Sequence, residues 1–505
     1  MIYKNKSMKQ GFENLSDQWQ LKNQGTYSPL ASLGSRASDA VSLLQIGKID
    51  LLFIGITFVL CFLYFHRGFH TAYSRYVIIF LSVFAFLNPF SAVLYLAASQ
   101  TMINPIGIPF TPAQLSVIGF CAALLTKVKR LSSLLESLGA LLAYLLPFLF
   151  LTGAKRVLIW NNLPLSQDDI FMYAAALMII SYYKEAGKKT DLWLLCLAMG
   201  ALIGIAGWFF NTIGLEATVE EIAGLRSRLF IGRAANATNI GLVAGSIAVL
   251  SLWIKYSAAA RVSTEKRASY WLLFLFLGLL GAGTMSVFAN GSRGGVISLF
   301  IAAVFTLLVS LLLFGTQIAR YAVILVILSG LLFFIPTTGV RSSLQSMQEF
   351  NSLQAVEYDL SNPLLAGRYN AWVPALQSFL ASPLLGELPW QQSSSSSEIG
   401  THNVFLGMAR GFGIFGLIAY CWYFFGPTYI LVRSNGLRAV WPFVCVLLAF
   451  FLGFNSLGFT GYKTFHAFNG IVIGLVLWSK AKFSPQRQGY QSDALLTAFP
   501  KKTIL

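Results

Sequence analysis

This chain has 505 residues, of which 56% are hydrophobic and only 11% are charged, whereas soluble domains carry about 25% charged residues. The composition excludes a string of water-soluble domains and predicts an all-α polytopic membrane protein, organised by its membrane-spanning helices. The formal net charge of +17 comes mostly from Lys and Arg in short loops between apolar segments. Such residues determine membrane topology, so a nucleic-acid partner is not expected.

The predicted elements follow one another between two polar tails. We predict a polar N-terminal tail at 1–46, a transmembrane bundle at 47–480 with a large outer loop at 337–402, and a basic cytoplasmic tail at 481–505. The bundle contains about 12–13 segments long and apolar enough to cross about 30 Å of hydrocarbon. The candidates are 49–65, 76–98, 112–126, 133–153, 169–184, 191–210, 239–256, 270–289, 295–314, 318–336, 404–425, 436–456 and 464–479.

The basic loops predict which side of the membrane each segment end faces. Lys and Arg cluster at 127–130, 184–189, 261–267, 433–438 and 480–502, and the positive-inside rule places such clusters in the cytoplasm. The loops at 211–238 and 337–402 then face outward. An odd number of spans would put the basic N-terminal tail outside, against the same rule. Asn88-Pro89 leaves open whether 76–98 is one span or two half-spans, since Pro kinks a helix.

Several kinds of chemistry find no support in the sequence. The cysteines lie inside apolar segments without metal-ligand spacing (Cys61, Cys121, Cys196, Cys421 and Cys445), so we expect neither a disulfide framework nor a metal site. There is no Gly-rich nucleotide loop followed by Lys, and no cofactor is expected. Acidic residues inside spans are nearly absent, Glu136 being the main exception, which counts against a proton- or sodium-coupled transporter.

Two polar stretches on the outer side place cations where an apolar helix begins. The first includes Arg226, Arg228 and Arg233, and the second is Asn290-Gly-Ser-Arg293-Gly-Gly295. Glycine permits close backbone approach, and a helix N-terminus presents free N–H groups, so Arg293 and the helix after it could bind a phosphate. The alternative is that these cations only reach lipid head groups.

The third outer stretch is Thr401-His402-Asn403, which joins a serine-rich loop to an apolar helix. A helix N-terminus disfavours a cation, so His402 at the membrane surface would be a neutral imidazole able to accept a proton. Arg410 lies seven residues beyond Asn403, which predicts a position two turns deeper, at about 10 Å. A cation at that depth is costly unless it faces a polar cavity or finds an anion. The alternatives are an inert surface histidine and an arginine that reaches back to the interface.

Four short motifs follow one another through the second half of the chain. They are Gly232 to Asn239; Ser292-Arg293-Gly294-Gly295; Gly367-Arg368-Tyr-Asn-Ala-Trp372 with Ser382-Pro383-Leu-Leu-Gly386; and Thr401-His402-Asn403-Val-Phe-Leu406 with Gly413 and Gly416. Together they resemble the O-antigen ligase and O-antigen polymerase family of bacterial membrane proteins, over about residues 220–420. In the first motif this chain has Thr238-Asn239 where the family usually has Pro-Asn.

The resemblance implies a GT-C-like helical bundle in the bacterial inner membrane with an active site facing the periplasm. It implies metal-independent, inverting transfer of an undecaprenyl-pyrophosphate-linked oligosaccharide to the hydroxyl of an acceptor glycan or glycolipid. Arg293 and one of Arg228 or Arg233 would bind the pyrophosphate, His402 would position or deprotonate the acceptor, and Arg368 could contact either substrate. Asn403 and Arg410 complete the predicted substrate-binding set.

Several functions remain open at this level. A polymerase of O-antigen or exopolysaccharide repeat units is favoured over a ligase that transfers finished chains to lipid A–core, although both would share one catalytic constellation. A non-enzymatic transporter of polysaccharide or lipid-linked sugar would distribute charges through the bundle interior, whereas here they concentrate at the outer face. A structural partner of other polysaccharide assembly proteins is a third alternative.

Overall fold

The computed structural model is all-helical wherever it describes the chain. The described residues are 48–67, 72–99, 102, 111–125, 131–158, 167–187, 189–214, 235–260, 276–284, 286–287, 293–315, 369–387, 403–455 and 463–482. Fourteen helices are delimited within them: α1 (Lys48–Arg67), α2 (Ala72–Leu87), α3 (Pro89–Ala98), α4 (Pro112–Leu125), α5 (Leu131–Leu158), α6 (Gln167–Ser181), α7 (Tyr183–Ala186), α8 (Thr190–Gly214), α9 (Ala235–Ala260), α10 (Arg293–Phe314), α11 (Tyr369–Ala381), α12 (Val404–Asn435), α13 (Leu437–Phe454) and α14 (Lys463–Lys482). Residues 276–284 form a further helical stretch.

The predicted fold class, an all-α polytopic membrane protein, is confirmed. Five of the described helices contain stretches long and apolar enough to cross a membrane: Ser133–Leu158, Asn239–Ser257, Gly294–Phe314, Val404–Asn435 and Leu437–Phe454. Shorter apolar helices, such as Ile49–Tyr64 and Thr190–Ile203, pack among them. The N-terminal tail at 1–46 and the predicted span at 318–336 lie outside the described residues.

Helix α14 forms the centre of the bundle. Its residues from Thr464 to Val476 are buried, and it packs against α3, α5, α6, α7, α8 and α12. Gly470 lies directly over the Ala176 backbone of α6, because a small residue lets two membrane helices approach closely. A second buried helix, α9, packs between α8, α10 and α13.

Basic segments meet at one end of this bundle, which we call the basic end. Gly187, just after α7, lies against the Trp478 ring of α14, and Ser479 donates a hydrogen bond of 3.2 Å to Asn435 Oδ1 at the end of α12. The predicted cytoplasmic clusters at 184–189, 433–438 and 480–502 therefore share this end where they are described. The opposite end is the one where α14 begins at Lys463 and α5 ends at Leu158.

The first described helix also begins at the basic end. Asp50, in the first turn of α1, accepts a bond of 2.6 Å from Lys189 Nζ, which precedes α8. The other Asp50 oxygen accepts a bond of 2.8 Å from Asn88 Nδ2. The start of α1 and the junction between α2 and α3 thus lie beside the start of α8.

That junction is a sharp reversal. Asn88 is extended, with φ −139° and ψ 126°, and its Oδ1 caps α3 by accepting from the N–H groups of Phe90 and Ser91. On one side of the reversal Phe84 packs on Phe53 near the start of α1, with ring centroids 5.5 Å apart. On the other side Tyr95 lies near Ser82 of α2 and Tyr64 at the far end of α1. Helix α2 therefore runs towards the basic end, and α3 runs away from it.

Leu96 of α3 and Thr111, just before α4, line the same cleft as Lys463 at the start of α14, so α3 leads towards the opposite end of the bundle. The 76–98 segment is thus two helices that run in opposite directions and not one continuous span. Among the described helices, the start of α1 and the end of α14 lie at the same end of the bundle, as the positive-inside rule requires of two basic tails.

Candidate active site

The apolar helix predicted after Asn403 does begin there, and the Asn403 side chain fixes its start. Asn403 Oδ1 accepts a hydrogen bond of 3.0 Å from Leu406 N, which caps α12. Its Nδ2 donates a bond of 3.1 Å to Asn455 Oδ1 at the end of α13. Asn403 therefore ties the start of one helix to the end of another.

Helix α12 reverses direction at Gly413. Gly413 has φ 69° and ψ −167° in the middle of the helix, a conformation that glycine adopts without a Cβ penalty. The Phe405 ring lies 5.7 Å from Tyr420 and 5.3 Å from Phe424, although residues this far apart in a straight helix would be separated by roughly 22 Å or more. Residues 404–412, which we call the re-entrant segment, therefore fold back along the rest of α12.

This reversal corrects the predicted depth of Arg410. The prediction assumed a straight helix, in which Arg410 would lie two turns deeper than Asn403. The end of α12 lies at the basic end, so Gly413 lies towards the opposite end. Arg410 therefore lies near the opposite end of the bundle. Asn403 is farther from that end, because Phe405, two residues later, packs on Tyr420 and Phe424. One glycine with positive φ is the physical reason for the inversion.

The described parts of the three predicted polar stretches converge around the end of α13. A Cβ on Gly295, in the first turn of α10, would lie 3.1 Å from Asn239 Cγ of α9. A Cβ on Gly453 of α13 would lie 3.0 Å from the neighbouring Ile240. Asn455, two residues later, binds Asn403. The starts of α9, α10 and α12 are therefore brought together, as expected if they serve one site, and we call the region around Asn239, Gly295, Asn403 and Asn455 the recess.

Most of the predicted site residues cannot be placed in this recess. His402, Arg228, Arg233 and Arg368 lie outside the described residues. Arg293 is the first residue described in α10, and its side chain is outside the described set. The roles predicted for these residues stay predictions.

Arg410 is placed, and it forms an ion pair with Glu387. Its Nε lies 2.9 Å from Glu387 Oε2, and its Nη2 donates a bond of 3.0 Å to Glu387 Oε1. The side chains are 15% and 9% exposed, so this is a largely buried, bidentate pair. A buried Arg410 was expected to need an anion, and the Glu387 carboxylate of the same chain is that anion.

Lys155, near the end of α5, completes the cluster. Its Nζ donates bonds of 2.5 Å to Leu385 O, 2.8 Å to Glu387 O and 2.5 Å to Gly411 O. We call Lys155, Glu387 and Arg410 the latch. The sequence analysis did not identify Lys155 or Glu387. Glu387 could have been noticed because it directly follows the motif Ser382–Gly386, and Lys155 because it lies just beyond the apolar run 133–153.

The latch fixes residues 382–387, which belong to the predicted outer loop, to the re-entrant segment. Glu387 N donates to Arg410 O at 2.6 Å, and Ile414 N donates to Pro383 O at 2.8 Å. Gly386 has φ 73°, and a Cβ there would lie 2.6 Å from Arg410 O. Glycine is therefore required at the last position of the motif from Ser382 to Gly386, since any side chain would clash with the Arg410 backbone.

No group of three or more His, Cys, Asp or Glu residues that could hold a metal ion occurs within the described part of the chain. The five cysteines all lie in described helices and are free thiols.

The fold and the recess define an all-α polytopic membrane protein with a candidate site near one end of its bundle. Residues 278–421 match the family model described as O-Antigen ligase. The match supports a membrane protein of the O-antigen ligase/polymerase family and covers less than a third of the chain. It spans α10, α11, the latch residues Glu387 and Arg410, and the re-entrant segment, but it begins only after the stretch from Gly232 to Asn239. A search of curated proteins found no significant match.

The matched domain supports a function of the ligase or polymerase type in general, carried out by a glycosyltransferase-like enzyme. The family implies lipid-linked glycan substrates and contact with membrane lipid.

Proposed function

We propose that this protein is a membrane glycosyltransferase that joins repeat units of O-antigen or exopolysaccharide. The donor is an oligosaccharide linked through pyrophosphate to undecaprenol, and the acceptor is the sugar hydroxyl of a second lipid-linked unit. One observation carries the proposal: the starts of α9, α10 and α12, each next to a predicted cation or base, meet at the end of α13. This arrangement supports an anion-binding group and a proton acceptor in one recess.

The proposed reaction needs two functions from the chain. His402, which directly precedes the capping residue Asn403 in the sequence, takes the proton from the acceptor hydroxyl as that oxygen attacks the anomeric carbon. The bond between this carbon and the pyrophosphate oxygen breaks, and the anomeric configuration is inverted. Arg293 and one of Arg228 or Arg233 hold the pyrophosphate as its negative charge increases. Undecaprenyl pyrophosphate then leaves, and no metal is required.

Transfer of a finished chain to lipid A–core is the second candidate, because the description of the matching family model is that of a ligase. The donor, the base and the cations would be the same. Only the acceptor differs, so an acceptor test separates the two candidates.

A transporter is less well supported. Within the described residues, the Lys189–Asp50 and Lys255–Asp191 pairs lie at the basic end and Arg410–Glu387 lies near the opposite end. A path for an anionic glycolipid would favour cations along the interior between the two ends.

The decisive experiment incubates purified protein in nanodiscs with undecaprenyl-pyrophosphate-linked oligosaccharide, with and without EDTA, and measures the lipid-linked products by mass spectrometry. Products that lengthen by whole repeat units, unaffected by EDTA, support a metal-independent polymerase. Product that forms only after lipid A–core is added supports the ligase. If no donor is consumed under either condition, the enzyme proposal fails.

Substitution of the proposed reactive residues gives a sharper test. Arg293→Ala and His402→Ala should each abolish product while expression and membrane insertion remain normal. Arg433→Ala, at an exposed position of the basic end, removes a cation far from the recess and should leave product yield unchanged. Wild-type yield from His402→Ala would remove this residue from the mechanism.

A further inference from the structure

We infer that the latch of Lys155, Glu387 and Arg410 is a positioning device that holds the re-entrant segment at the angle the transfer reaction requires. The inference rests on the proposed function, because it assigns residues that act through the start of α12. It also gives Arg410 a role different from the substrate binding that the sequence suggested.

The Lys155 ammonium joins three parts of the chain. A charged lysine has three N–H donors, and the three described bonds go to Leu385 O, Glu387 O and Gly411 O. Two of these carbonyls belong to the predicted outer loop, and the third belongs to the re-entrant segment. Lys155 itself belongs to α5 and is 7% exposed. One ammonium group thus fixes a loop and a short helix to a long helix.

The ion pair adds a second connection at the same place. Arg410 is on the re-entrant segment, and Glu387 is in the loop segment that Lys155 holds. Both side chains are largely buried, so removing one partner leaves the other charge without compensation. The latch therefore resists separation of the re-entrant segment from α5 more strongly than an exposed pair would.

The re-entrant segment is held at both ends. The latch fixes it near Arg410 and Gly411, and the bond between Asn403 and Asn455 fixes its start. A helix of about nine residues is short and stiff, so loosening one end tilts the other. Displacement of a reacting group by about 1 Å can reduce a rate about 100-fold. The latch can therefore affect the reaction without contact with substrate.

The kinetic test uses Lys155→Met, Glu387→Gln and Arg410→Lys in the nanodisc reaction. A positioning role predicts that kcat falls about 100-fold while KM for the lipid-linked donor changes less than about threefold. If Arg410 instead contacts the donor, Arg410→Lys raises KM at least tenfold with kcat nearly unchanged, and this result overturns the inference. Unchanged kinetics in all three variants also overturn it.

Two further measurements separate the latch from simple loss of folding. The exchanged pair Glu387→Arg with Arg410→Glu retains opposite charges and should recover kcat to within about tenfold of wild type. Asp191→Asn is the matched control, because Asp191 accepts two bonds of 2.8 Å from Lys255 at the basic end. It should alter stability without the selective loss of kcat. No recovery in the exchanged pair, or an equal kcat loss in Asp191→Asn, contradicts the inference.

Hydrogen exchange measured by mass spectrometry tests the latch even if the proposed reaction is wrong. Glu387→Gln should accelerate amide exchange in residues 404–412, with no change in the buried part of α14. If wild-type protein consumes no donor, the proposed function fails while this result still reports on the latch. Unchanged exchange in 404–412 overturns the latch whatever the enzyme does.

Discussion

At the scale of single residues, Asn403 combines two hydrogen bonds that can be separated by substitution. Asn403→Ala removes both the α12 cap and the bond to Asn455, so we expect the free energy of unfolding to fall by about 1–2 kcal/mol. Asn403→Ser restores a capping oxygen but lacks the amide donor. Thermal unfolding in detergent measures both effects, and Asn403→Ser should recover about half of the loss.

Asn435→Ala provides the control for activity. Asn435 accepts from Ser479 and donates to Leu431 O and Ser434 Oγ at the basic end, so its substitution also removes side-chain hydrogen bonds at the end of a helix. We expect product yield to fall with Asn403→Ala and to persist with Asn435→Ala. Equal yields from the two variants would contradict a special role for the start of α12.

The sequence predicted some of these residues and not others, for a physical reason. The helix start at Asn403 follows from a local boundary between polar and apolar residues, so it was predictable. The partner of Arg410 was not, because Glu387 lies 23 residues away along the chain and meets it only after the chain folds. Lys155 is farther still, at a sequence separation of 256 from Gly411.

At the scale of helices, the reversal of α12 depends on Gly413. Alanine at φ 69° and ψ −167° costs about 1–3 kcal/mol in backbone strain, and its Cβ would lie 2.1 Å from Leu384 O. Gly436 is a matched control, with φ 76° and no atom within 4 Å of an added Cβ. We therefore expect Gly413→Ala to lower the melting temperature and yield much more than Gly436→Ala. Similar melting temperatures would show that the reversal does not depend on Gly413.

Two apolar segments, 76–98 and 404–425, each fit the sequence pattern of a single span, and each contains a reversal. Apolar composition reports that a segment is buried in membrane or protein but carries no information on its direction. The reversals depend on one residue each: an extended Asn88 that caps the next helix, and Gly413 with positive φ. Asn88-Pro89 carried a recognisable signal of a break, whereas Gly413, one of 43 glycines, was noted only as part of a family motif and gave no indication of a reversal.

At the scale of the whole molecule, the two ends of the bundle are held together by different sets of ionic contacts. At the basic end, Asp50 joins the starts of α1, α3 and α8 through Lys189 and Asn88. At the opposite end, the latch joins α5, the outer loop and the re-entrant segment. The first set ties together helix starts on the side predicted to be cytoplasmic, while the second lies beside the candidate site. The basic loops alone predict the orientation of the protein in the membrane. Which charged residues pair, and at which end, is seen only in the folded bundle.

The shared position of the start of α1 and the end of α14 gives a topology prediction for both tails. Since α1 begins at the basic end and α14 finishes there, both tails should face the cytoplasm. In a cysteine-free background, Ser16→Cys and Ser484→Cys should react with a membrane-impermeant maleimide only after the cells are permeabilised. Ser395→Cys, in the predicted outer loop, is the control and should react in spheroplasts. Labelling of Ser16→Cys in intact spheroplasts would place the N-terminal tail outside. It would mean that the start of α1 and the end of α14 face opposite sides of the membrane, and the basic N-terminal tail would then violate the positive-inside rule.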